Sequence, residues 1–340
     1  MNALLRLFLA ALCCAWAPGA SSATTNNADG ALPREVIVNG VEMVLIPAGW
    51  FWYTVSVADD DRVEAGARLH RDAHVWLDSF YIAKYEARAR DFVRFLNAGA
   101  ASPETLSRQA EEKEKSSVEK EITMTAEGEK VVERRIEQPE CMVRRQPDGT
   151  WLETDAARDM PATDMSWALA KEFAAWMGFR LPTEAEWEKA ARGDADRRVW
   201  PWGNVYPDDT YALYSWGAPC APAPVGAYAK GRSPYGLYNM AGNVGEYVAD
   251  WFNRGFDDGI KDGMHNPPLA AEGSPLPEEG PMKMSKGGLW RTDAVWIRIQ
   301  KRRLVRPYKP GEWEGVRFAA DVATVRAHLE RGTARIVESK

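Results

Sequence analysis

Basic and aromatic residues crowd one segment near the C-terminal end of the chain, and their chemistry favours ligand binding. The segment contains Trp290, Arg291, Trp296, Arg298, Lys301, Arg302, Arg303, Arg306 and Lys309. An arginine binds a carboxylate or phosphate through two parallel hydrogen bonds, and an indole offers a flat apolar wall. The pattern predicts a groove for a peptide, a protein or a small anion, with the candidate ligand-binding residues Trp290, Arg291, Arg298 and Arg302. The alternative is that these arginines pair with acidic neighbours.

Neither the histidines nor the cysteines have the spacing of a metal site. His70 and His74 stand four positions apart, which would place two imidazoles on one face of a helix, but no third ligand is evident. We therefore expect a solvent-exposed pair, in a helix, a strand or a loop. The cysteines, at positions 13, 14, 141 and 220, match no zinc spacing.

Three glutamates at alternate positions have the side chains for acid–base chemistry. Glu184, Glu186 and Glu188 directly follow Thr183, and Thr183 with Glu186 forms a capping-box pattern at the start of a helix. Carboxylates in a first helical turn chiefly interact with the positive end of the helix dipole. We therefore predict that these residues serve the scaffold.

Composition excludes several classes of protein. The chain has 340 residues, of which 45% are hydrophobic and 27% charged, which is typical of a globular protein with a sizeable core. The 43 Lys and Arg residues against 49 Asp and Glu residues give a net charge of −6, and an acidic chain is repelled by phosphate. We expect no nucleic-acid binding.

The N-terminal segment has the pattern of an export signal. Arg6 precedes a short apolar run, and the small residues at positions 20–23 resemble a cleavage site. Residues 1–23 are predicted to be a signal peptide and residues 24–34 a flexible leader, so the protein is expected to be periplasmic or secreted, without a transmembrane segment. A lipoprotein signal at Cys13 or Cys14 is the alternative. In the exported chain Cys141 and Cys220 would form a disulfide, two free thiols or a redox pair.

Hydrophobic periodicity and turn residues predict the elements around these candidates. Strands are predicted at residues 36–38, 41–46, 75–82, 288–291, 296–303 and 315–318, and helices at 90–97, 167–177, 184–192 and 322–330. Ser166 and Asp321 are the expected N-caps, and Gly178 and Gly193 the expected helix ends.

One stretch differs in composition from the rest of the chain. Residues 102–149 are rich in Glu, Lys, Arg and Ser and nearly free of aromatic residues. We interpret them as a charged, solvated insert, with either a hairpin around the turn at residues 126–128 or a helix at 111–120.

Seven segments resemble, in order, the signature of the formylglycine-generating enzyme (sulfatase-modifying factor) family: residues 43–49, 160–167, 180–188, 200–204, 236–244, 287–290 and 315–318. The resemblance covers roughly residues 36–320. It implies an α+β fold, a single mixed domain poor in regular secondary structure and related to the C-type lectin fold. The domain is expected at residues 35–320, followed by a C-terminal helix and tail at 321–340.

The resemblance also carries expectations about metals. The enzyme that names the family oxidises a cysteine of sulfatases with dioxygen and a copper ion held by two cysteines. The matching positions lie near Ala294 or Val295 and near Ile299 or Gln300, and no cysteine stands there, so copper is not expected. A family calcium site resembles Asn243 and Glu246, which are the candidate metal ligands. The family's iron oxygenases take their histidines from an additional domain.

Two functions remain after these considerations. The first is an exported binding or accessory module, non-catalytic or divergent, with a basic and aromatic groove. Replacing Arg298 and Arg302 with alanine would then remove ligand binding without unfolding the protein. The alternative is a divergent periplasmic oxidase, similar to the family member that matures pyoverdine, which acts without the cysteine pair. The sequence names neither the ligand nor the catalytic residues.

Overall fold

The protein is described from a computed structural model, which covers residues 32–56, 70–116, 118–125, 128–135, 143–154, 157–215, 221–253, 259–272, 280–311 and 313–337. The predicted signal peptide, nearly all of the leader, Cys141 and Cys220 lie outside the described residues. Those predictions therefore stay predictions.

Groups of short strands are separated by one or two helices along the described residues. The strands are β1 (Glu35–Val38), β2 (Val41–Ile46), β3 (Gly49–Ser56), β4 (His70–Leu77), β5 (Phe80–Ala83), β6 (Val118–Thr125), β7 (Gly128–Arg135), β8 (Val143–Arg145), β9 (Trp151–Glu153), β10 (Gly245–Trp251), β11 (Lys283–Lys286), β12 (Arg303–Val305), β13 (Glu314–Gly315), β14 (Ala319–Asp321) and β15 (Ala334–Ile336). The helices are α1 (Ala89–Asn97), α2 (Pro103–Ser116), α3 (Trp167–Trp176), α4 (Glu184–Arg192) and α5 (Val322–Glu330). The described residues between α4 and β10 hold only a single 3-10 turn, at Ala229–Gly231.

The largest sheet has five strands in the order β14-β5-β2-β1-β15, and each neighbouring pair is antiparallel. The predicted hairpin of β1 and β2 forms because Asn39 and Gly40 both adopt positive φ, as a two-residue hairpin turn requires. The amide of Asn39 also donates to the carbonyl oxygen of Met177 at 2.8 Å, which ties this turn to the end of α3.

A second sheet carries much of the chemistry described below. Its order is β12-β11-β10-β13, with β10 and β13 parallel and the other pairs antiparallel. Strands β10 and β11 lie beside α4, so the inner face of that helix meets side chains from both strands. The two-stranded sheet of β3 and β4 covers α4 from another side, with Phe51 and Tyr53 fully buried.

The helices α3 and α4 begin where the sequence predicts. The Ser166 hydroxyl accepts the amide of Leu169 at 3.3 Å, and Thr183 with Glu186 forms the complete capping box. The start of α5 is different, because the carboxylate of its N-cap residue Asp321 accepts no bond from that helix. It accepts instead from Arg180, at 3.0 and 2.7 Å.

Four strand predictions are wrong in whole or in part. The expected strand at residues 75–82 is divided between β4 and β5 at Asp78 and Ser79. Residues 288–291 and 296–302 are turns rather than strands, closed by local bonds such as Arg298 N–H to the carbonyl of Val295 and Lys301 N–H to that of Arg298. Residues 316–318 lie between β13 and β14, buried but without strand pairing.

The charged insert contains both of the alternatives that its sequence left open. Helix α2 is followed by β6 and β7, which pair in register from Val118↔Arg135 to Thr125↔Gly128. The helix is fixed to the body by Glu172, whose carboxylate accepts from the backbone amide and hydroxyl of Ser102 and from the hydroxyl of Thr105.

The residues from Leu32 onward form one compact unit. None of the helices within the described ranges combines the length and the apolar character needed to cross a bilayer.

Candidate functional site

A network of buried charges joins α4 to the second sheet. The Nζ atom of Lys286 lies 3.0 Å from a carboxylate oxygen of Glu184 and 3.5 Å from one of Glu188. Arg192 closes the other side of Glu188 at 2.8 Å, and the amide of Thr54 donates to the same carboxylate at 2.7 Å. Glu184 and Glu188 serve the scaffold, as predicted, but through buried ion pairs in the interior and not chiefly through the helix dipole.

Arg302, one of the residues predicted to line the groove, belongs to this network. Its Nε atom donates to Glu184 at 2.6 Å, and the hydroxyl of Tyr53 donates to the same carboxylate at 3.0 Å. Burial alone would raise the pKa of Glu184, but Arg302 and Lys286 outweigh it and hold this pKa at about 2. Glu184 is therefore an ion-paired structural carboxylate and not a proton donor at neutral pH.

A second buried ion pair lies beneath β10. Arg317 donates from Nε and a terminal nitrogen to the two carboxylate oxygens of Glu246, at 2.8 and 2.6 Å, and Trp187 donates to Glu246 at 2.6 Å. The remaining donors of Arg317 reach the carbonyl oxygens of Ala83 and Tyr238 at 2.9 and 2.7 Å. One guanidinium thus links two sheets and a loop.

Asn243 lies beside this pair in a tightly packed turn. Gly242 has a positive φ, and a Cβ there would collide with the carbonyl oxygen of Leu213, so only glycine fits. The amide nitrogen of Asn243 donates to Glu86 at 2.9 Å and to the carbonyl oxygen of Ala223 at 3.1 Å. Burial, followed by the charge of Glu246, raises the pKa of Glu86 to about 8.

The predicted calcium ligands do lie together, but their oxygens are already engaged. Asn243 uses its side-chain oxygen to accept the amide of Ala223 at 2.8 Å, and both oxygens of Glu246 accept from Arg317. Calcium needs six to eight oxygen ligands. In this arrangement the two residues do not fit the ion, and calcium at Asn243 and Glu246 stays a prediction that requires Glu246 to leave Arg317.

The four predicted ligand-binding residues differ in how deeply they are buried. Trp290 is 3% exposed and packs edge-on against Trp313, with ring centroids 5.5 Å apart. The side chain of Arg302 is 13% exposed and faces Glu184. Arg291 and Arg298 are half-buried near the surface. Two of the four residues are therefore part of the interior.

An aromatic surface adjoins Arg298, and the sequence analysis did not select it. Trp200 and Trp202 lie nearly parallel with centroids 6.2 Å apart, and Trp202 stacks on Tyr211 at 5.1 Å. The Arg298 guanidinium lies 5.8 Å from the centroid of the Trp200 ring. Tyr206 packs edge-on against Trp200 at 5.8 Å and leaves 67% of its surface exposed. We call Trp202, Tyr206, Tyr211 and Arg298, together with the buried Trp200 that three of them contact, the aromatic surface.

The positions where the resemblance leads us to expect the family's copper cysteines hold apolar or amide side chains. Ala294 is 3% and Ile299 0% exposed, so both pack in the interior. Thiolates capture copper(I), and neither an aliphatic side chain nor an amide replaces them. The residues present at these positions do not fit a copper ion.

Among the histidines, His74 lies on β4 rather than on a helix. Its ring stacks between Trp52 and Trp50, with centroid distances of 4.5 and 5.3 Å. His265 stacks on the neighbouring Trp76 at 5.5 Å. The imidazole of His74 is thus half-buried between indoles. The residues that the structure describes contain no cluster of three His, Cys, Asp or Glu side chains able to hold a metal.

Separate substitutions of the two predicted arginines are expected to behave differently. Arg302→Ala leaves the buried Glu184 with one counter-charge fewer and should cost about 2–4 kcal/mol of the free energy of unfolding. Arg298→Ala should cost less than about 1 kcal/mol, because this side chain is half-buried and its Nε has no hydrogen-bond partner among the described residues. Urea denaturation of the two variants measures the difference, and equal losses would contradict it. The expectation that the double variant keeps its fold is revised accordingly.

Comparison with known proteins agrees with this architecture. The chain matches the sulfatase-modifying factor enzyme 1-like domain over residues 30–322. It is 35% identical over 173 residues to hercynine oxygenase of Mycobacterium tuberculosis, covering 49% of this chain and 38% of that protein. It is 33% identical over 190 residues to the formylglycine-generating enzyme of Thermomonospora curvata, covering 52% of this chain and 60% of that protein. The chain thus spans less than two thirds of either relative.

Among solved structures, PvdO from Pseudomonas aeruginosa superposes with a TM-score of 0.54 at 22% identity, covering 85% of this chain and 99% of that chain. At this identity the likeness shows the fold alone. Together with the match over residues 30–322, it confirms the resemblance and the mixed α+β fold related to the C-type lectin fold. The chain belongs to the sulfatase-modifying factor enzyme 1-like family.

Proposed function

We propose that the protein is an exported binding module whose aromatic surface holds an acidic and apolar segment of a partner protein. The observation that carries the proposal is the exposure of Tyr206 and Val205, at 67% and 61%, close to Trp200 and Arg298. Contiguous exposed apolar side chains in a soluble domain commonly mark interaction sites.

The composition of the aromatic surface supports a peptide rather than a metal or a small cation. Tyr, Trp and Arg are the residues that dominate binding energy at protein interfaces, because they combine large contact area with directed hydrogen bonds. Lys230 lies 6.0 Å from the ring centroid of Tyr211, and Lys301 lies 5.0 Å from that of Trp296. These cations favour an acidic partner segment, which revises the proposed groove from residues 290–302 toward residues 200–211.

The side chains at the positions expected for the family's copper cysteines support a protein that binds a ligand without catalysing a reaction. Ala294 and Ile299 offer no donor atom for copper, so the family reaction would need ligands from elsewhere in the chain. The matched relatives include an oxygenase by name, and a divergent periplasmic oxidase therefore remains the alternative that the experiment must separate.

Metal content and oxygen uptake of the exported protein separate these two functions. We expect no uptake with a cysteine peptide of the sulfatase type, with a catechol, or after addition of copper or iron. Bound calcium without oxygen uptake would also agree with a binding module. Oxygen uptake that depends on added peptide or catechol would overturn the binding module in favour of the oxidase.

Substitutions in the aromatic surface are expected to weaken binding without altering the fold. With an array of acidic peptides that contain aromatic residues as the probe, Tyr206→Ala and Arg298→Ala should each lower affinity at least about tenfold, as expected for central interface residues. Arg197→Ala is the matched control, because Arg197 also covers an indole, with its guanidinium 3.7 Å from the Trp52 ring centroid, but lies outside the aromatic surface. Unchanged affinity in both test variants contradicts the proposal.

A further inference from the structure

One edge of the five-stranded sheet ends in an open strand. Strand β15 pairs with β1 on one side, and among the residues that the structure describes no strand pairs with its other side. The opposite edge of the sheet is different, because the backbone of Arg180 exchanges two hydrogen bonds with that of Ala319 on β14, at 2.9 and 2.8 Å. The edge at β15 therefore has unpaired backbone groups that a further strand could use.

The register of β15 shows which of its backbone groups face outward. The amide of Val337 donates to the carbonyl oxygen of Glu35 at 3.0 Å, so Val337 and, two positions before it, Arg335 form their bonds toward β1. In an antiparallel pair the intervening residues direct their backbone groups the other way. The N–H and C=O groups of Ala334 and Ile336 therefore point away from the sheet, and none of the described residues bonds to them.

The side chain of Ile336 also indicates a missing neighbour at this edge. Directly opposite residues of paired strands share a face of the sheet, so Ile336 lies on the same face as its partner Val36. Val36 is 0% exposed in the core, whereas Ile336, one strand further out, is 54% exposed. An apolar side chain on a strand added to this edge would pack against Ile336 and extend the core.

The surroundings of β15 are basic, although the chain as a whole is acidic. Residues 322–337 contain three arginines, Arg326, Arg331 and Arg335, against one acidic residue, Glu330. All three arginines are exposed, and within the described ranges none of them has an ion pair. Arg335 stands between the two residues with outward backbone groups, and its side chain lies on the other face of the sheet from theirs. The charge around this edge is therefore complementary to an acidic segment.

We propose that β15 is a docking edge, to which an extended segment of another protein adds as one more antiparallel strand. The register determines the chemistry of that segment. Its residues opposite Ala334 and Ile336 are apolar, because they continue the buried face, and the residue between them is acidic, because it lies opposite Arg335. A second copy of this chain does not fit, because pairing β15 with itself about Arg335 would place two guanidinium groups opposite each other. The proposal does not rest on the function assigned to the aromatic surface.

A short capped peptide of alternating valine and glutamate tests the docking edge, with fluorescence anisotropy of the labelled peptide and the full chain as the measurement. In antiparallel pairing the valine amides face β15 and the glutamate amides face solvent. N-methylation of the valines should therefore lower affinity at least about tenfold, since it removes the donors. N-methylation of the glutamates is the matched control and should leave affinity unchanged. Absence of binding by the parent peptide, or equal affinity of all three peptides, overturns the inference.

Variants of the edge assign the binding site. Ile336→Pro removes an outward N–H that the fold does not use, so the protein should fold while affinity for the parent peptide falls about tenfold. Arg335→Glu should also lower affinity about tenfold, because like charges then lie opposite each other, and should favour a peptide with lysine in place of glutamate. This second variant keeps the test open if the proline variant fails to fold. Arg158→Glu, at an exposed arginine outside the sheet, is the control for net charge.

Three outcomes with these variants would overturn the docking edge. The first is unchanged affinity in both Ile336→Pro and Arg335→Glu. The second is loss of binding in Tyr206→Ala, which would assign the peptide to the aromatic surface; the peptide contains no aromatic residue, so failure at β15 is distinguishable from failure of the proposed function. The third is a dimer in sedimentation velocity that Ile336→Pro dissociates, which would make a second copy of the chain the occupant.

Discussion

Arg317→Met is expected to lower the free energy of unfolding by about 3–5 kcal/mol, the largest loss predicted for any single substitution here. Arg317 is 0% exposed, and its guanidinium neutralises Glu246, which is also 0% exposed. Methionine fills a similar volume but leaves the carboxylate buried without its counter-charge, next to Glu86. Urea denaturation followed by tryptophan fluorescence measures the loss.

A double substitution identifies the uncompensated charge as the cause. Adding Glu246→Gln to Arg317→Met removes the orphaned charge and should recover part of the lost stability, even though two native contacts are then missing. Arg180→Met is the comparison for an accessible pair. Its side chain is 35% exposed beside Glu186 and Asp321, and the expected loss is about 1 kcal/mol. A double variant less stable than Arg317→Met would show that packing dominates instead.

Lys286→Met is expected to cost about 3–4 kcal/mol, because one ammonium neutralises two carboxylates inside the protein. Lys286 lies between Glu184 and Glu188 on successive turns of α4, and the side chains of all three are at most 2% exposed. Without the ammonium, Glu184 keeps Arg302 and Glu188 keeps Arg192, which limits the loss. Thermal and urea unfolding at pH 7 give the magnitude, with Lys84→Met, a more accessible lysine paired with Glu35, as the control at below about 1 kcal/mol.

The same substitution should change how stability depends on pH. Because the pKa of Glu184 in the folded protein is about 2, below its ordinary value of 4.5, this carboxylate contributes stability that is present above about pH 4.5 and lost as pH falls toward 2. Removing the Lys286 charge brings that pKa closer to the ordinary value. The loss of stability between pH 4.5 and pH 2 should therefore be smaller in Lys286→Met than in the wild type, and an equal loss would contradict the role assigned to Lys286.

Local signals were sufficient for the helix that carries this network. The capping box of Thr183 and Glu186, and the end of the helix at Gly193, depend on residues three to ten positions apart, so the sequence contains the whole signal. The ion-pair partners of Glu184 and Glu188 cannot be predicted from such local signals. Lys286 and Arg302 lie about a hundred positions further along the chain, and no local pattern distinguishes an inward glutamate from one at a helix dipole.

The alternation of apolar and polar residues near the C-terminal end predicted a strand at residues 296–303, where the structure has mostly turns. Ile297 and Ile299 are fully buried while Arg298 between them is half-buried, as the pattern indicates. The backbone satisfies its hydrogen bonds through turns instead of a ladder, because consecutive turns reproduce the same inward and outward order. Arg302 was predicted to line a groove, with pairing to acidic neighbours as the alternative, and its ion pair with Glu184 follows the alternative.

The order of the five-stranded sheet has a consequence for how the chain acquires its structure during synthesis. Val36 pairs with Ile336 and Tyr81 pairs with Ala320. Strands β1 and β5 therefore each need a partner strand that is synthesised more than 200 residues later. Contacts this distant in sequence slow folding and cannot form on an incomplete nascent chain. A ribosome-bound chain that stops before residue 319 should therefore remain sensitive to protease, and the sheet should assemble only once residues 334–336 have emerged.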